Sequence, residues 1–488
     1  MTIANPSHTD QVPSSAFQKL ADRTILWWTS IAQKRSAPFL IVGVWFVVAV
    51  PPALFRGYHY VEGLTVTIAQ SALQEGYWLT PHLHNLRWIE RPTLLSWVIA
   101  TISFPLGHID PFVARLPTIL SLLVGCLLIW RTLRSVASAG AALVGAAAFL
   151  ASPIVMRYYW TSVADLPLAV LLFGTFLVWW HSFRAGRITV GRWICIGCLL
   201  AIAGLLKGPQ PVAYFFLGLG AFTLLTSAWW QIPGLVLSGL IAVAPVALWY
   251  AHVFVPGDAH QMLTYARLSS GGVQLPHPLG NAINFFFEAF PAAFLASILL
   301  MVPKTFVKET VPRNFTLAFS CYAFTCTVAL LIWPAGVNPR YILPMVLPLC
   351  VLGGLGYDAL VRRSTTIAAI SICIMVGLLG YSAVHSTVAQ LIWSETYLEA
   401  ESAGKKITEL VRRSPAPIYR TVWNAGLNEL PYVPYETTTI DAAAISSIAK
   451  PAWIVLSTSD AEKIIANSNG RIKSSLALPR GSVLLRAE

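Results

Sequence analysis

Long apolar runs separated by short polar connections dominate the chain up to about residue 386. The runs at 38–55, 232–255 and 315–333 approach or exceed the roughly 20 residues that a helix needs to cross a bilayer. Counting all such runs, we predict about eleven transmembrane helices, with an upper limit of about 13. The pattern therefore predicts an all-α polytopic membrane domain, which we assign to residues 37–386.

One apolar run does not fit this count. Residues 93–106 are short for a span, contain Pro105 and end before Gly107. Counting this run as a crossing would place Arg131 and Arg134 on the wrong side of the membrane. We therefore predict an interfacial helix within a large first outer loop, residues 56–114.

Lysine and arginine residues that flank a span mark the end of the span that faces the cytoplasm. They form clusters at 19–35, 131–134, 184–192, 304–313 and 362–363. The segment 1–36 lacks a signal-peptide pattern, and its residues 17–31 have one apolar and one basic face. We predict a cytoplasmic, amphipathic N-terminal segment on the membrane surface.

The composition supports a membrane protein and argues against a soluble protein and a nucleic-acid-binding protein. Hydrophobic residues make up 56% of the chain and charged residues only 11%, against about 25% in ordinary soluble domains. The net charge of +12 is spread between apolar spans, so no nucleic-acid partner is predicted. All seven cysteines lie in apolar runs and indicate no redox compartment.

Residues 387–488 have the composition of a soluble domain. A helix is predicted over 397–413, and strands are predicted at 418–422, 453–456 and 483–485. The arrangement indicates a small α/β domain, and the span count places it outside the cytoplasm. No catalytic group of residues is evident within it.

Five ionisable residues gather on the predicted outer side, although they come from five separate stretches: Glu62, Arg91, Asp165, Lys207 and Arg340. Ionisable groups near a bilayer are costly unless they pair or face a wet cavity, so this set suggests one functional cavity. Ordinary interfacial charges, or a helix-capping role for Glu62 in the first turn of a helix over 62–76, remain alternatives.

The outer-loop stretches 76–83 (GYWLTPHL) and 86–92 (LRWIERP) resemble the aminoarabinose-lipid A transferases. More broadly, the chain is similar to the protein O-mannosyltransferases and other polyprenyl-phosphate-sugar-dependent glycosyltransferases of the GT-C fold. Four later stretches fit in order and spacing, namely ARLP at 114–117, ADLP at 164–167, LKGP at 206–209 and RYILP at 340–344. The resemblance implies a GT-C-like membrane domain.

The sequence departs from the family at its catalytic position. The family carries an Asp-Glu pair in the first loop, but Val61 stands at the aspartate position here and Glu62 at the glutamate position. Either Glu62 has taken over the acid–base role, Asp165 bears more of it, or the activity is altered. Arg91 replaces the lysine that precedes proline in the aminoarabinose transferases.

The resemblance implies an inverting enzyme that moves a hexosyl or pentosyl group from a polyprenyl-phosphate donor to a lipid A-like lipid or another cell-envelope acceptor. Glu62 is the first candidate for the catalytic base and Asp165 the second. Arg91, Lys207 and Arg340 are candidates for binding the donor phosphate. Further candidates for lining the substrate cavity are Tyr60, His82, Glu90 and Tyr341.

We expect a monomer in the bacterial inner membrane, with its C-terminal domain in the periplasm. The lipid-linked sugar is the co-substrate, no cofactor is implied with certainty, and no metal is assigned, although His59, His82 and His84 lie near Glu62. A transporter and a catalytically silent lipid-binding relative are the alternative functions.

Overall fold

The structure is a computed structural model that describes residues 16–59, 61–186, 188–256, 258, 278–301, 314–332, 338–392, 396, 398–421, 425–467 and 472–488. Several parts of the predictions lie outside these residues: residues 1–15 of the N-terminal segment, Tyr60, Arg187, the basic cluster at 304–313, and positions 333, 397 and 422 at the ends of predicted elements.

In the described part of the membrane domain, the regular secondary structure is helical apart from one short hairpin. Its helices are α1 (Ala16–Gln33), α2 (Ala37–Phe55), α3 (Glu62–Glu75), α4 (Leu94–Ser103), α5 (Pro111–Arg134), α6 (Ala139–Ala151), α7 (Pro153–Tyr158), α8 (Asp165–Arg184), α9 (Val190–Lys207), α10 (Gln210–Thr226), α11 (Ile232–Val253), α12 (Pro278–Glu288), α13 (Ala292–Ile298), α14 (Phe315–Leu331), α15 (Leu343–Arg363) and α16 (Thr365–Ile392). The hairpin pairs β1 (His82–Leu83) with β2 (Leu86–Arg87).

Among the described residues, seven helices are long and apolar enough to cross a membrane, or eight if the bent pair α12 and α13 is one span. The members of this pair meet at 102°. The shorter apolar helices α6, α10 and α14 are also present, and the predicted total of about eleven is reached only if these three cross as well. The predicted class, an all-α polytopic domain, is confirmed.

Local sequence explains where the helices of the outer loop begin and end. The Asp110 carboxylate accepts hydrogen bonds from the backbone N–H groups of Phe112 and Val113, so this residue caps α5. Gly76 ends α3 with φ of 78°, a conformation that glycine adopts without strain. The predicted helix over 62–76 is thus confirmed, and α4, at about 15 Å, is too short to span a bilayer.

Helix α1 lies where the predicted amphipathic segment falls. Its buried residues pack against the bundle, and the indole N–H of Trp28 donates to the carbonyl of Gly140 at 3.1 Å. Large apolar side chains on its other face, including Phe17, Leu26 and Trp27, are exposed. Such a helix suits an interface between the bundle and the lipid surface.

The C-terminal region is a small α/β unit, as predicted. It contains α17 (Glu399–Arg413), β3 (Ile418–Arg420), β4 (Thr437–Thr439), β5 (Ala452–Ser457), α18 (Thr458–Asn467), β6 (Ile472–Leu478) and β7 (Ser482–Ala487). The strand order is β4-β3-β5-β7-β6, with β4, β3 and β5 parallel and the remaining pairs antiparallel. Strands β4 and β6 were missing from the prediction because β4 is three threonines and β6 carries few large apolar residues.

Candidate active site

Three charged candidates are brought together by helix ends. Asp165 is the first residue of α8, and Lys207 is the last residue of the neighbouring α9, which stops at Gly208. A carboxylate is favoured at a helix N-terminus and a cation at a C-terminus, so both residues suit their helices as well as each other. Arg340 lies in the 3-10 turn Pro339–Ile342, just before α15.

Asp165 is the centre of this group. The Lys207 ammonium forms an ion pair and hydrogen bond with Oδ1 of Asp165, and Arg340 Nε lies 3.7 Å from Oδ2. The side chains of Asp165 and Lys207 are buried, and that of Arg340 is 11% exposed. The Lys207 ammonium also lies 4.2 Å from the ring centroid of Tyr341, close enough for a cation–π interaction.

A cavity of about 50 Å³ adjoins these residues. Its lining also includes Arg91, which lies in the loop before α4, and Val61, which precedes α3. Among the described lining residues, Arg91, Lys207 and Arg340 are the cations and Asp165 is the one carboxylate. Four of the five predicted outer-side charges therefore meet at one cavity, and its net positive charge suits an anionic ligand.

The fifth charge, Glu62, lies elsewhere and is completely buried. Its carboxylate forms a bidentate ion pair with Arg115, through Nε at 2.9 Å and Nη2 at 2.8 Å. It also accepts hydrogen bonds from the N–H of His59 (2.8 Å) and from the N–H (2.7 Å) and hydroxyl (3.1 Å) of Ser162. A carboxylate offers roughly four lone-pair sites, so these five hydrogen bonds leave no acceptor site on Glu62 unused.

This geometry does not support the prediction that Glu62 activates the acceptor. A base must reach its proton directly or through one water, whereas Glu62 does not line the cavity and its oxygens are occupied. Instead, the Glu62–Arg115 pair ties the start of α3 to α5 and to the segment before α8. The side chain at the family's aspartate position, Val61, does line the cavity but cannot accept a proton.

Arg115 was not predicted as a site residue, although it lies in the ARLP stretch. Its guanidinium donates to Glu62 and to the carbonyls of Ala53 (3.0 Å), Arg56 (2.7 Å) and Gly57 (2.8 Å). The sequence signal that could have identified Arg115 is an arginine near the start of a largely apolar helix, since such residues are rare in membrane spans and almost always paired.

The remaining candidates lie around the cavity or away from it. Tyr341 contacts the Lys207 ammonium, and the carboxylate of Glu90 lies 3.9 Å from the guanidinium of Arg91. His82 belongs to the hairpin, where its ring packs at a tilt against Tyr77 and its Nδ1 lies 2.7 Å from the carbonyl of Thr80. It does not line the cavity.

The three histidines near Glu62 do not converge. The ring of His59 packs on Trp160, with 5.4 Å between centroids, and His84 sits at the tip of the hairpin with φ of 57°. Burial, and secondly the charge of Arg420, lowers the pKa of His84 to about 3. Within the described ranges, no three His, Cys, Asp or Glu side chains form a group suited to a metal ion.

The C-terminal unit packs directly on the elements that support the cavity. The N–H of Gly63 donates to the amide oxygen of Asn428 at 3.2 Å, and Gln70 donates to the carbonyl of Pro431 at 2.9 Å. In addition, the N–H of Thr439 donates to the side chain of Asn85 in the hairpin at 2.6 Å. Contacts from the C-terminal unit therefore hold α3 and the hairpin in position.

These features define a membrane protein of the GT-C fold with a cationic cavity at one end of its helices. Residues 90–250 match the family model of dolichyl-phosphate-mannose-protein mannosyltransferase. A curated relative, undecaprenyl phosphate-alpha-4-amino-4-deoxy-L-arabinose arabinosyl transferase 2 of Proteus mirabilis (strain HI4320), is 24% identical over 184 residues. That alignment covers 37% of this chain and 32% of the relative, so the chain matches about a third of the relative's length.

Solved structures support the same fold. The crystal structure of ArnT from Cupriavidus metallidurans bound to undecaprenyl phosphate superposes with a TM-score of 0.69 and 17% identity, covering 93% of this chain and 98% of that one. Arabinofuranosyltransferase AftD from Mycobacteria gives a TM-score of 0.51 at 12% identity, over 94% of this chain and 40% of that one. The predicted resemblance to GT-C glycosyltransferases is confirmed.

Proposed function

We propose that this protein is a membrane glycosyltransferase that moves a sugar from a polyprenyl-phosphate donor to a lipid A-like lipid or another cell-envelope acceptor. The observation that carries the proposal is the cavity with three cations and one carboxylate. Its net positive charge suits the lipid phosphate, and the fold is that of ArnT, whose crystal structure contains undecaprenyl phosphate.

In this proposal Arg91, Lys207 and Arg340 bind the donor phosphate. Arginine offers a planar pair of donors to phosphate oxygens, whereas the lysine ammonium acts as a point charge. The three cations also stabilise the negative charge that develops on the phosphate as it leaves. The reaction needs no nucleotide, because the lipid phosphate is itself the leaving group.

Asp165 is the proposed base, because it is the carboxylate that lines the described cavity. An oxygen of the acceptor attacks C1 of the sugar, the bond between C1 and the phosphate oxygen breaks, and polyprenyl phosphate leaves with inversion. The acceptor proton passes to Asp165. In this proposal the donor phosphate takes over the contacts that Lys207 and Arg340 make with Asp165, which frees the Asp165 oxygens to accept the proton.

The proposed site faces the periplasm in a bacterial inner membrane. Helix α8, which begins at Asp165, and helix α15, which begins just after the turn that contains Arg340, carry Arg184 and Arg363 at their opposite ends. Short loops rich in arginine remain in the cytoplasm, which supports an outward orientation of the cavity. In this proposal the transferred sugar is a hexosyl or pentosyl group.

Val61 favours a second candidate, a relative that binds the lipid without transferring sugar. This apolar side chain lies in the cavity at the position where the family carries its catalytic aspartate. Measuring donor binding and turnover on the same protein separates the two functions, because the silent relative binds the lipid but forms no product.

The test uses the full-length protein and undecaprenyl phosphate as the probe. Arg91→Ala, Lys207→Ala and Arg340→Ala should each weaken binding about tenfold or more, the value for a lost charge-assisted hydrogen bond. The matched control is Arg87→Ala, which removes a cation of the same loop that pairs with Asp258 and does not line the cavity. Equal losses in the control, or unchanged binding in all three cavity variants, would rule out the phosphate site.

A further inference from the structure

A second, larger cavity lies at the opposite face of the membrane domain. Its volume is about 490 Å³, and its lining comes from α1, from the connection between α5 and α6, and from the last turns of α15. Helices α5 and α15 have their other ends near Arg115 and Arg340, so this cavity and the candidate active site are separated by the length of a span. About 36 Å of helix corresponds to the 24 residues of α5.

The charged groups of this cavity favour an anion. Arg134 and Arg362 line it, together with one carboxylate, Asp358. Both oxygens of Asp358 are engaged by Ser138, one by its backbone N–H at 2.8 Å and the other by its hydroxyl at 2.5 Å. The carboxylate therefore fixes the start of α6, and it also interacts electrostatically with Arg362. With two guanidinium groups and one carboxylate in its lining, the cavity carries a net positive charge.

A buried hydroxyl gives a second, independent indication of a ligand. Tyr357 lines the cavity and is only 2% exposed, yet its hydroxyl makes no hydrogen bond to any described residue. A buried polar group without a partner is costly. A ligand oxygen within the cavity that accepts this hydrogen bond removes that cost.

The surroundings of the cavity favour a lipid as its ligand. Ile25 and Thr29 of α1 form one wall, and the opposite face of α1 exposes Phe17, Leu26 and Trp27, which suits contact with acyl chains. Leu299 adds a further apolar wall. A basic pocket between helices with apolar walls at a membrane surface has the chemistry that binds anionic lipid headgroups.

We propose that this cavity binds the headgroup of an anionic glycerophospholipid. The phosphate lies between Arg134 and Arg362, the hydroxyl of Tyr357 donates a hydrogen bond to a phosphate or ester oxygen, and the acyl chains run along α1. The site is separate from the proposed donor site, and the inference does not rest on the proposed function.

The experiment is native mass spectrometry of the full-length protein titrated with phosphatidylglycerol, with phosphatidylcholine as the zwitterionic comparison. The double variant Arg134→Gln/Arg362→Gln should bind phosphatidylglycerol at least about tenfold more weakly, the effect of losing a charge-assisted hydrogen bond. The control is Arg131→Gln/Arg363→Gln, which removes the same charge from the same two helix ends but outside the cavity lining, and it should bind as the parent does. Tyr357→Phe removes only the hydroxyl and should weaken binding severalfold.

Three outcomes would overturn the proposal. The first is equal loss in the two double variants, which indicates surface attraction only. The second is equal binding of phosphatidylglycerol and phosphatidylcholine by the parent. The third is displacement of phosphatidylglycerol by millimolar inorganic phosphate, on the order of the free-ion concentrations that ordinary phosphate sites require, which indicates a site for free phosphate. A folded double variant with weakened binding, beside an unaffected control, supports the lipid site.

Discussion

Removing the charge of Glu62 should lower stability, whereas removing the charge of Asp165 should lower turnover. Glu62→Gln keeps the size of the side chain but leaves the fully buried guanidinium of Arg115 without its counter-charge. Losing one partner of a buried ion pair costs about 3–5 kcal/mol. Because Arg115 keeps three backbone carbonyls as acceptors, we expect the lower end, about 3 kcal/mol of unfolding free energy.

Asp165→Asn should instead reduce turnover. General-base catalysis contributes about a hundredfold or more, so this variant should lose that factor in turnover with a polyprenyl-phosphate-linked sugar. Its Lys207 and Arg340 still share a cavity open to a ligand, so donor binding should be retained or strengthened by the loss of a competing carboxylate.

The assay compares unfolding and turnover of both variants in the same detergent. Glu409→Gln is the control for stability, since this residue forms an exposed i,i+4 pair with Arg413 and such pairs contribute little. The reasoning is refuted if Glu62→Gln is as stable as the parent but loses about a hundredfold in turnover. That result would return the role of base to Glu62.

Three further predictions follow from other contacts. Gly63→Ala places a Cβ against the carbonyl of Leu427 and should destabilise the contact between α3 and the C-terminal unit by about 1–3 kcal/mol. The control Gly43→Ala, whose Cβ meets no atom within 4 Å, should not destabilise it. Limited proteolysis and thermal unfolding measure the difference. Burial lowers the pKa of His84 to about 3 in the folded protein, so the unfolded chain binds a proton at this residue first as the pH falls. The contribution of neutral His84 to the free energy of unfolding is therefore complete above pH 6.5 and is lost as the pH falls towards 3. His84→Asn, which tolerates positive φ, should flatten the dependence of the unfolding temperature on pH in that window, and an unchanged slope would contradict the assignment. A reporter after Glu488 should lie outside the cytoplasm and one before Met1 inside, as tested with an impermeant label; two reporters on one side would reverse or break the proposed topology.

The sequence alone determined the class of fold and the set of charges. Apolar periodicity and length specify spanning helices, because a bilayer leaves a buried backbone few other ways to satisfy its hydrogen bonds. Rare ionisable residues such as Asp165 and Lys207 stand out against an apolar background, and the count of spans between basic clusters placed them on the outer side.

Tertiary structure decided which charges share a site. Glu62 and Val61 are neighbours in sequence, but Val61 precedes α3 and lines the cavity, whereas Glu62 in the first turn of α3 pairs with Arg115. Arg115 lies 53 positions from Glu62, and no local pattern connects them. The depth of burial and the pairing of each carboxylate depend on packing between distant segments, and this packing separates a structural ion pair from a candidate base.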